Sequence, residues 1–364
     1  MKNKVIVFIG RFQPFHVGHY NVVKNASKVS PNILILVGSS YRPRSWKNPF
    51  KFNERRNFIE ESCSELDINL GILPLVDTLY NDRTWASNVR AAVNIYIRNR
   101  GFSSVNECEV ILTGYEKDNS SLYLKWFPEW SWMPMNAINH KDVIINAKDF
   151  RQDLFFEDSF NSEKYGVKES KTVLEWINNN PAHVEVIREE AKFNMKYKEK
   201  IKEAEDIFGY PIPINTSDSV VVQSGHILMV RRGVSPGKGL LALPGGHINR
   251  DETAFDAAVR ELYEESRLNM PKGAMRGRFK ESKVFDHPER SERGWVRTEA
   301  FLFELEDKAT LEKVKGGDDA ALAVWVPINE ITPDEIFEDH FDIIQTLVPE
   351  VPFAYSSIVM AHSS

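Results

Sequence analysis

Apolar residues recur along this chain in one rhythm up to about residue 150, a second to about 205, and a third from about 210. Residues 5–9 form a continuous, mostly β-branched run closed by Gly10, the pattern of a strand buried on both faces. The spacing then predicts a helix over 18–29, a buried strand over 33–37 ending at Gly38-Ser39-Ser40, a helix over 53–65 and a strand over 71–76. A helix over 85–98, a strand over 110–113 ending at Gly114, and a last short strand over 142–145 complete this part. Strands alternating with helices predict βαβ units in a parallel sheet covered on both faces. Ligands of such sheets sit at the carboxyl ends of the strands.

Residues 150–205 are rich in Glu, Lys, Asn and Phe, with helical spacing and little strand signal. The segment around 191–205 reads as a charged, solvated helix that connects two domains. Beyond Tyr210 the pattern predicts short strands over 219–223, 227–231 and 240–243, a helix over 255–266, and strands over 300–305 and 323–326. The expected division is a first domain over 1–185, a helical connector over 186–207, and an α+β domain over 208–364.

Composition changes little in this picture. A chain of 364 residues exceeds one average domain of roughly 100–200 residues. Hydrophobic residues at 42% and charged residues at 27% are ordinary for a globular protein. A net charge of −6 argues against nucleic acid or an anionic membrane as partner. Cys63 and Cys108 lie in no metal-type spacing and read as reduced thiols. The first apolar run is too short for a signal-peptide core, and no stretch approaches the ~18 apolar residues of a membrane span. A cytoplasmic protein is expected, and its self-association is left open.

The candidate chemistry begins at Gly10-Arg11-Phe12-Gln13-Pro14-Phe15-His16-Val17-Gly18-His19. A helix that starts where a strand ends gathers backbone amides at one point, which is an anion site. Gly10 lets the backbone approach a phosphate, and Gly18 lets the helix start close on the ligand. His16 and His19 share a face of the first helical turn. From there two imidazoles can donate to phosphate oxygens whose charge rises in a transition state. Arg11 adds a fixed cation. No protein nucleophile is needed, because phosphoryl-type transfer rests on positioning and charge stabilisation. The pattern fits attack on the α-phosphate of ATP. A lone histidine near a helix start is ordinarily a cap or a surface group; two in H-x-G-H, straight after a buried strand, argue for chemistry.

This segment resembles the signature of the H-x-G-H nucleotidyltransferases. Its G-R-F-Q-P-F-H form resembles the archaeal-type nicotinamide mononucleotide (NMN) adenylyltransferases. Lys47-Asn48-Pro49-Phe50, Tyr80-Asn81-Asp82-Arg83-Thr84-Trp85 and the stretch 114–130 are similar to the subgroup fused to a Nudix domain. The resemblance implies a Rossmann-like parallel-sheet fold with Mg²⁺ on the triphosphate. It implies that Phe12, Arg44 and Gly114 belong to the ATP/NMN site, that Asn81 and Asp82 seat the nucleotide, and that Trp85 stacks on the nicotinamide ring. The family's second motif, I-S-x-T-x-x-R, aligns with 145–151. Arg151 keeps its phosphate-binding arginine. Asn146 and Lys148 replace hydroxyl residues; Lys148 would hold the triphosphate as a point charge, and Asn146 would cap the helix.

Residues 246–268 carry Gly246, Glu252, Arg260, Glu261, Leu262, Glu264, Glu265 and Leu268 at the positions of the Nudix box, G-x5-E-x7-R-E-U-x-E-E-x-G-U, which the stretch resembles. Arg267 replaces the final Gly, a change that bears on the turn ending the helix. Glu261, Glu264 and Glu265 stand at i, i+3 and i+4, so one helix face carries three carboxylates. Such a cluster is costly unless cations neutralise it, and hard oxygen donors suit Mg²⁺ or Mn²⁺. The Gly245 carbonyl would add a metal ligand, with Arg260 and Glu252 orienting the carboxylates. Such metals bind a pyrophosphate and lower the pKa of an attacking water. A Glu-rich helix is ordinarily a solvated face, but that does not account for Leu243-Pro244-Gly245-Gly246 at its fixed distance upstream. The stretches 284–298 and 316–320 resemble ADP-ribose pyrophosphatases. Arg290 and Arg293 would meet the pyrophosphate or terminal ribose, and Asp318 or Asp319 would help to activate water.

The expectation is therefore an α/β protein with a Rossmann-like nucleotidyltransferase domain followed by an α+β Nudix domain of α/β/α sandwich type. The resemblance implies that the first domain joins NMN and ATP to give NAD and pyrophosphate, and that the second hydrolyses ADP-ribose to AMP and ribose 5-phosphate. Two rivals are weighed. One is transfer to nicotinate mononucleotide or another monoester, with a different Nudix substrate. The other is a sensor of NAD metabolites with an idle domain, for which a basic DNA-binding surface is missing from the sequence.

Overall fold

The computed structural model describes residues 3–102, 107–115, 126–135, 139–140, 143–157, 159–268, 270–317, 320–352 and 355–362. The chain divides into two compact units, one of residues 1–44, 48–188 and 354–364, the other of 45–47 and 189–353.

The first unit opens with β1 (Asn3–Gly10), α1 (Val17–Ser27), β2 (Asn32–Val37), α2 (Phe52–Cys63), β3 (Asn69–Pro74), α3 (Asp82–Asn99), β4 (Cys108–Tyr115) and β5 (Ser131–Met135). The five strands are all parallel, in the order β3-β2-β1-β4-β5. This is the parallel sheet that the alternating pattern predicted, in the Rossmann-like arrangement that the resemblance implied. Val5, Ile6 and Val7 of β1 and all of 33–37 in β2 are completely buried. Continuous apolar runs suit central strands shielded on both faces.

The fifth strand corrects the expectation. β6 (Asn139–His140) and β7 (Val143–Ile144) form a separate antiparallel pair, so the strand expected over 142–145 is not part of the parallel sheet. Its place is taken by β5, whose Pro134 disguises it. Proline is tolerated at the sheet edge, where its missing N–H costs no ladder bond on the outer side.

α4 (Ala147–Phe156), α5 (Ser162–Tyr165), α6 (Val167–Asn179) and α7 (Pro181–Phe208) fill the stretch expected to be helical. α7 is one unbroken helix, and the division between units falls within it, after Arg188. The helical connector expected over 186–207 falls within this helix.

The second unit contains β8 (Ile214–Gln223), β9 (His226–Arg232), β10 (Leu241–Ala242), β11 (Gly245–His247), α8 (Ala254–Ser266), α9 (Lys272–Arg278), β12 (Phe279–Phe285), β13 (Val296–Glu304), β14 (Ala320–Pro327) and α10 (His340–Leu347). Its mixed sheet runs β10-β9-β8-β13-β12, with β11 paired to β8 and β14 to β9. Only β8 and β13 run parallel. Phe301 and Phe303 of β13, Val221 of β8 and Leu262 of α8 meet in the core. β8 begins five residues before the predicted strand, because Thr216, Ser217, Asp218 and Ser219 are buried although polar. Ser217 and Ser219 donate to the carbonyls of Ala254 and Ala258, at 2.7 and 3.0 Å, and so tie α8 to the sheet. The sequence-based reading also passed over β12, a charged edge strand. The last helix, α11 (Tyr355–Ala361), lies not with this unit but with the first. The Tyr355 hydroxyl donates to the Pro74 carbonyl at 2.7 Å, and Val359 is fully buried.

Among the described residues no helix is long and apolar enough to cross a membrane. Cys63 and Cys108 are free and buried, and burial pushes the Cys63 thiol up to about 12.

The second unit buries an unusual set of carboxylates. Glu190 of α7 lies in the field of Glu292 and Glu338, and accepts from the Trp46 and Gly237 backbones. Glu292 accepts from Ser45 Oγ at 2.6 Å and the Lys47 amide at 2.9 Å. Glu338 accepts from Ser291 Oγ and pairs with Arg293 at 3.2 Å. Burial, reinforced by the two neighbouring carboxylates, pushes the Glu190 carboxyl up to about 8. A raised acid binds its proton more tightly in the folded state, so its contribution is complete below the ordinary carboxylate range and is lost as pH rises through 8. Glu190→Gln should therefore be more stable than the parent at pH 8.5 by about 1–3 kcal/mol, with the gain shrinking toward pH 5. Urea unfolding at the two pH values measures this; a gain equal at both, or none, contradicts the assignment.

Candidate functional site

In the first unit β1 delivers the chain to Gly10 at the carboxyl end of the sheet. Seven residues later α1 begins, with His16 as its N-cap. His16 Nδ1 accepts from the Gly18 amide at 3.2 Å, so Nε2 carries the proton of the neutral ring. The His16 and His19 rings lie 3.7 Å apart between centroids, tilted by 31°. A Cβ on Gly18 would stand 2.9 Å from the His16 ring, so only glycine leaves the imidazole where it is. Tyr115, at the end of β4, donates to the Gly18 carbonyl at 2.6 Å. Burial pushes its hydroxyl up to about 12. Phe12 packs its ring against that of His19 at 4.9 Å, with its backbone at φ +50°. That left-handed backbone costs roughly 1–2 kcal/mol for a residue with a side chain.

The turn between β1 and α1 is held on every side. The Gln13 side chain donates to the Phe50 carbonyl and accepts from the Phe50 amide, at 2.9 and 3.0 Å. Arg151, expected to grip a phosphate, donates through Nη1 to the Gln13 and Ala147 carbonyls at 2.7 and 3.2 Å. Asn146 does cap α4, accepting from the Asp149 amide at 2.8 Å, and Lys148 is exposed in its first turn. Arg55 of α2 was missed in the sequence. It lies under the turn and donates to the Arg11 and Gly38 carbonyls at 2.6 Å each and to Ser39 at 3.3 Å. An arginine within an amphipathic helix gives no signal of such a place.

The structure gathers Gly10, Arg11, Phe12, His16, Gly18 and His19 at one strand end. The other expected residues fare differently. Arg44 closes its fork on Glu54, at 2.6 and 2.8 Å, and on the Pro49 carbonyl, with Trp176 beneath it at 5.2 Å. This is a structural pair. Asn81 caps α3, accepting from the Thr84 amide at 3.0 Å, with Asp82 exposed beside it. Trp85 is half-buried in the next turn, 6.2 Å from Phe127, which stacks on Trp130. α3 follows β3, so it also opens at the carboxyl end of the sheet. Gly114 sits inside β4 opposite Pro134, and residues 116–125 of its motif lie outside the described residues.

In the second unit α8 carries the glutamates, its start capped by Thr253. Arg260 organises them. It pairs with Glu252 at 2.7 Å, Glu261 at 2.8 Å and Glu264 at 2.9 Å, and donates to the His247 carbonyl at 3.0 Å. Its hydrogen bond holds the Glu252 carboxyl below the usual range. Glu265 is buried and accepts from the Gly245 amide at 3.0 Å. A Cβ on Gly246 would stand 2.4 Å from Glu261 Oε1, so the box glycine makes room for that carboxylate. Arg267, where the box has Gly, closes the helix in the left-handed region at φ +51°. The substitution therefore falls on turn geometry, as expected. Among the described residues no three His, Cys, Asp or Glu side chains converge as a metal site does. The carboxylates of Glu261 and Glu264 instead meet at Arg260 Nη1. As a donor set, three carboxylates on one helix face with a backbone carbonyl nearby suit a hard divalent cation.

Arg290 is not available as a ligand group in this arrangement. It makes a two-pronged pair with Asp339, both bonds at 2.9 Å, the side chains 2% and 0% exposed. Arg293, in the same loop, is held by Glu338 and Ser291. Asp318 and Asp319 lie outside the described residues. His340 is a further residue the sequence did not suggest: its Nδ1 accepts from the Leu243 amide at 2.9 Å and anchors the segment that precedes the box.

Fold and site together define a two-unit nucleotide-handling protein. A nucleotidyltransferase motif lies at the end of a parallel sheet, and a Nudix box lies on a helix of a mixed one. Residues 7–71 match the cytidylyltransferase-like family model, and residues 215–347 match the NUDIX domain model. A nicotinamide/nicotinic acid mononucleotide adenylyltransferase of Acinetobacter baylyi is 37% identical over 134 residues, 36% of this chain and 67% of that protein. An ADP-ribose pyrophosphatase of Methanocaldococcus jannaschii is 31% identical over 156 residues, 42% of this chain and 85% of that protein. Two crystal structures of a bifunctional NMN adenylyltransferase/ADP-ribose pyrophosphatase from Francisella tularensis cover 97% of this chain and 100% of theirs, with TM-score 0.84 and identities of 29% and 30%. The first of these is complexed with AMP and Mn ion. This chain belongs to the family of bifunctional NMN adenylyltransferases/ADP-ribose pyrophosphatases.

The Gly246 contact is testable. Gly246→Ala should fold as the parent, since only the tip of a flexible side chain must move, yet bind Mn²⁺ about 10–100-fold more weakly. Titration calorimetry reads this; parent-like affinity would mean that Glu261 does not act on the metal from this position.

Proposed function

We propose that the first unit transfers the adenylyl group of ATP to NMN, giving NAD and pyrophosphate. The second unit would hydrolyse ADP-ribose to AMP and ribose 5-phosphate. The close His16–His19 pair at the mouth of the parallel sheet carries the first assignment.

In the transfer a phosphate oxygen of NMN attacks the α-phosphorus of ATP, and the bond to the β,γ-pyrophosphate breaks. Negative charge grows on the non-bridging oxygens and on the leaving group. His16 and His19 donate hydrogen bonds to those oxygens, and the start of α1 adds its amides. Arg11 and Lys148 stand exposed at the two helix-opening turns, where they would meet the outer phosphates, while Arg151 holds the turn from behind. Trp85 offers an aromatic face to the electron-poor nicotinamide ring.

In the hydrolysis Glu261, Glu264, Glu265 and the Gly245 carbonyl would hold the divalent cation, Mg²⁺ or Mn²⁺. When bound, such a cation would neutralise the pyrophosphate and supply a more acidic water, whereas Mg²⁺ in the first unit would only neutralise the triphosphate. Arg260 keeps Glu261 and Glu264 aligned. These reactions suit a cytosolic protein with reduced thiols. A second acceptor, nicotinate mononucleotide, is favoured by the name of the Acinetobacter relative, which covers both mononucleotides.

The parent should form NAD from ATP and NMN, and His19→Ala should slow this about 10²–10³-fold while leaving AMP release from ADP-ribose intact. NAD formation at the parent rate in that variant would remove His19 from the mechanism. Conversely, Glu264→Gln should abolish metal-dependent AMP release without changing NAD formation. Undiminished release of AMP would refute the carboxylate assignment.

A further inference from the structure

Arg55 is 1% exposed, and among the described residues it makes no ion pair. Its guanidinium is spent on three main-chain carbonyls, those of Arg11, Gly38 and Ser39. Burying a cation is costly, and an apolar side chain would fill the space beneath a sheet edge at no such cost. The three carbonyls need a donor there, and a charged one is the costliest to bury. What the charge touches is the pair of strand ends that form the nucleotide-binding turn. The Gly38 amide in turn donates to the Gly10 carbonyl at 2.8 Å, so the ends of β1 and β2 are joined twice.

The consequence follows from peptide geometry. In a trans peptide the carbonyl of one residue and the amide of the next point in opposite directions. The Arg11 carbonyl turned inward to Arg55 aims the Phe12 amide outward. The same peptide leads into Phe12 at φ +50°, a region that phenylalanine rarely adopts unless its surroundings impose it. The Phe12 ring then meets His19 at 4.9 Å. A continuous chain of contacts thus runs from the buried guanidinium, through the Arg11–Phe12 peptide, to the second histidine.

We propose that Arg55 is a positioning residue for adenylyl transfer, fixing the Arg11–Phe12 peptide and, through the Phe12 ring, the placement of His19. The proposal rests on the reading of the first unit as an ATP-using nucleotidyltransferase. Its test compares Arg55→Met and Arg55→Lys with the parent in the full chain. Three quantities are measured: kcat and KM for NAD formation, affinity for ATP with Mg²⁺ by calorimetry, and AMP release from ADP-ribose in the same preparation.

In Arg55→Met, kcat should fall at least 30-fold and ATP affinity at least tenfold, with AMP release within twofold of the parent. Arg55→Lys, which keeps the charge but not the fork, should recover part of kcat. If Arg55→Met loses stability while its folded fraction turns over with parent kcat and KM, Arg55 serves the fold only and the proposal fails. It also fails if Lys restores nothing beyond Met. Should the parent itself form no NAD from NMN, the functional reading falls, yet the ATP arm still decides: unchanged affinity in Arg55→Met overturns the positioning role, and a tenfold loss upholds it.

Discussion

Where a buried parallel strand stops, its last carbonyls and the first amides of the next helix lose their ladder partners in a place that water barely reaches. In the first unit this junction spans only the six residues between Gly10 and Val17, and each of its polar groups has to be satisfied by something other than the sheet. Arg55 takes the carbonyls of Arg11, Gly38 and Ser39, and Arg151 takes that of Gln13. The Gln13 amide locks to both backbone groups of Phe50. His16 closes the series by capping α1. With its partners assigned, the turn has little freedom left, and the two imidazoles stand 3.7 Å apart between centroids as a result.

The second unit uses the same side-chain geometry for a different end. Arg260 spreads its fork over Glu252, Glu261 and Glu264, and so neutralises carboxylates that would otherwise repel one another on one helix face. A guanidinium on neutral carbonyls, as with Arg55, is a fixed part of the framework. A guanidinium on carboxylates competes with any divalent cation for the same oxygens, which couples its position to metal binding. Gly246 and Glu265 complete the frame, one by leaving space and the other by gripping the Gly245 amide.

Ion pairing also separates residues that act on the framework from those that face a ligand. Arg44 and Arg290 sit in motifs that resemble nucleotide-binding ones, yet both forks close on carboxylates of their own unit. For Arg290 the partner is wholly buried, and breaking such a pair typically costs about 3–5 kcal/mol. Asn81 likewise spends its side chain on a helix cap. Arg11 and Lys148 are both exposed at helix-opening turns of the first unit.

Much of this protein was legible in its sequence. The buried runs of β1 and β2, the alternation of strands with helices, the H-x-G-H turn and the Nudix box all depend on local spacing, which a linear chain displays. The cap at Asn146 and the turn at Arg267 were legible for the same reason. Only the tertiary structure decided the rest, because it turns on partners distant in the chain. β5 is a strand only because β4 pairs with it, and a proline hid it. Polar Thr216–Ser219 belong to β8 because α8 lies across them. α11 joins the first unit through Pro74, some 280 residues earlier, as Tyr355 shows. Arg55, Arg290 and His340 acquire their places from carbonyls, a carboxylate and an amide that no spacing rule connects to them. Spacing fixes which residues share a face, whereas a buried charge is defined by whatever the completed fold sets against it.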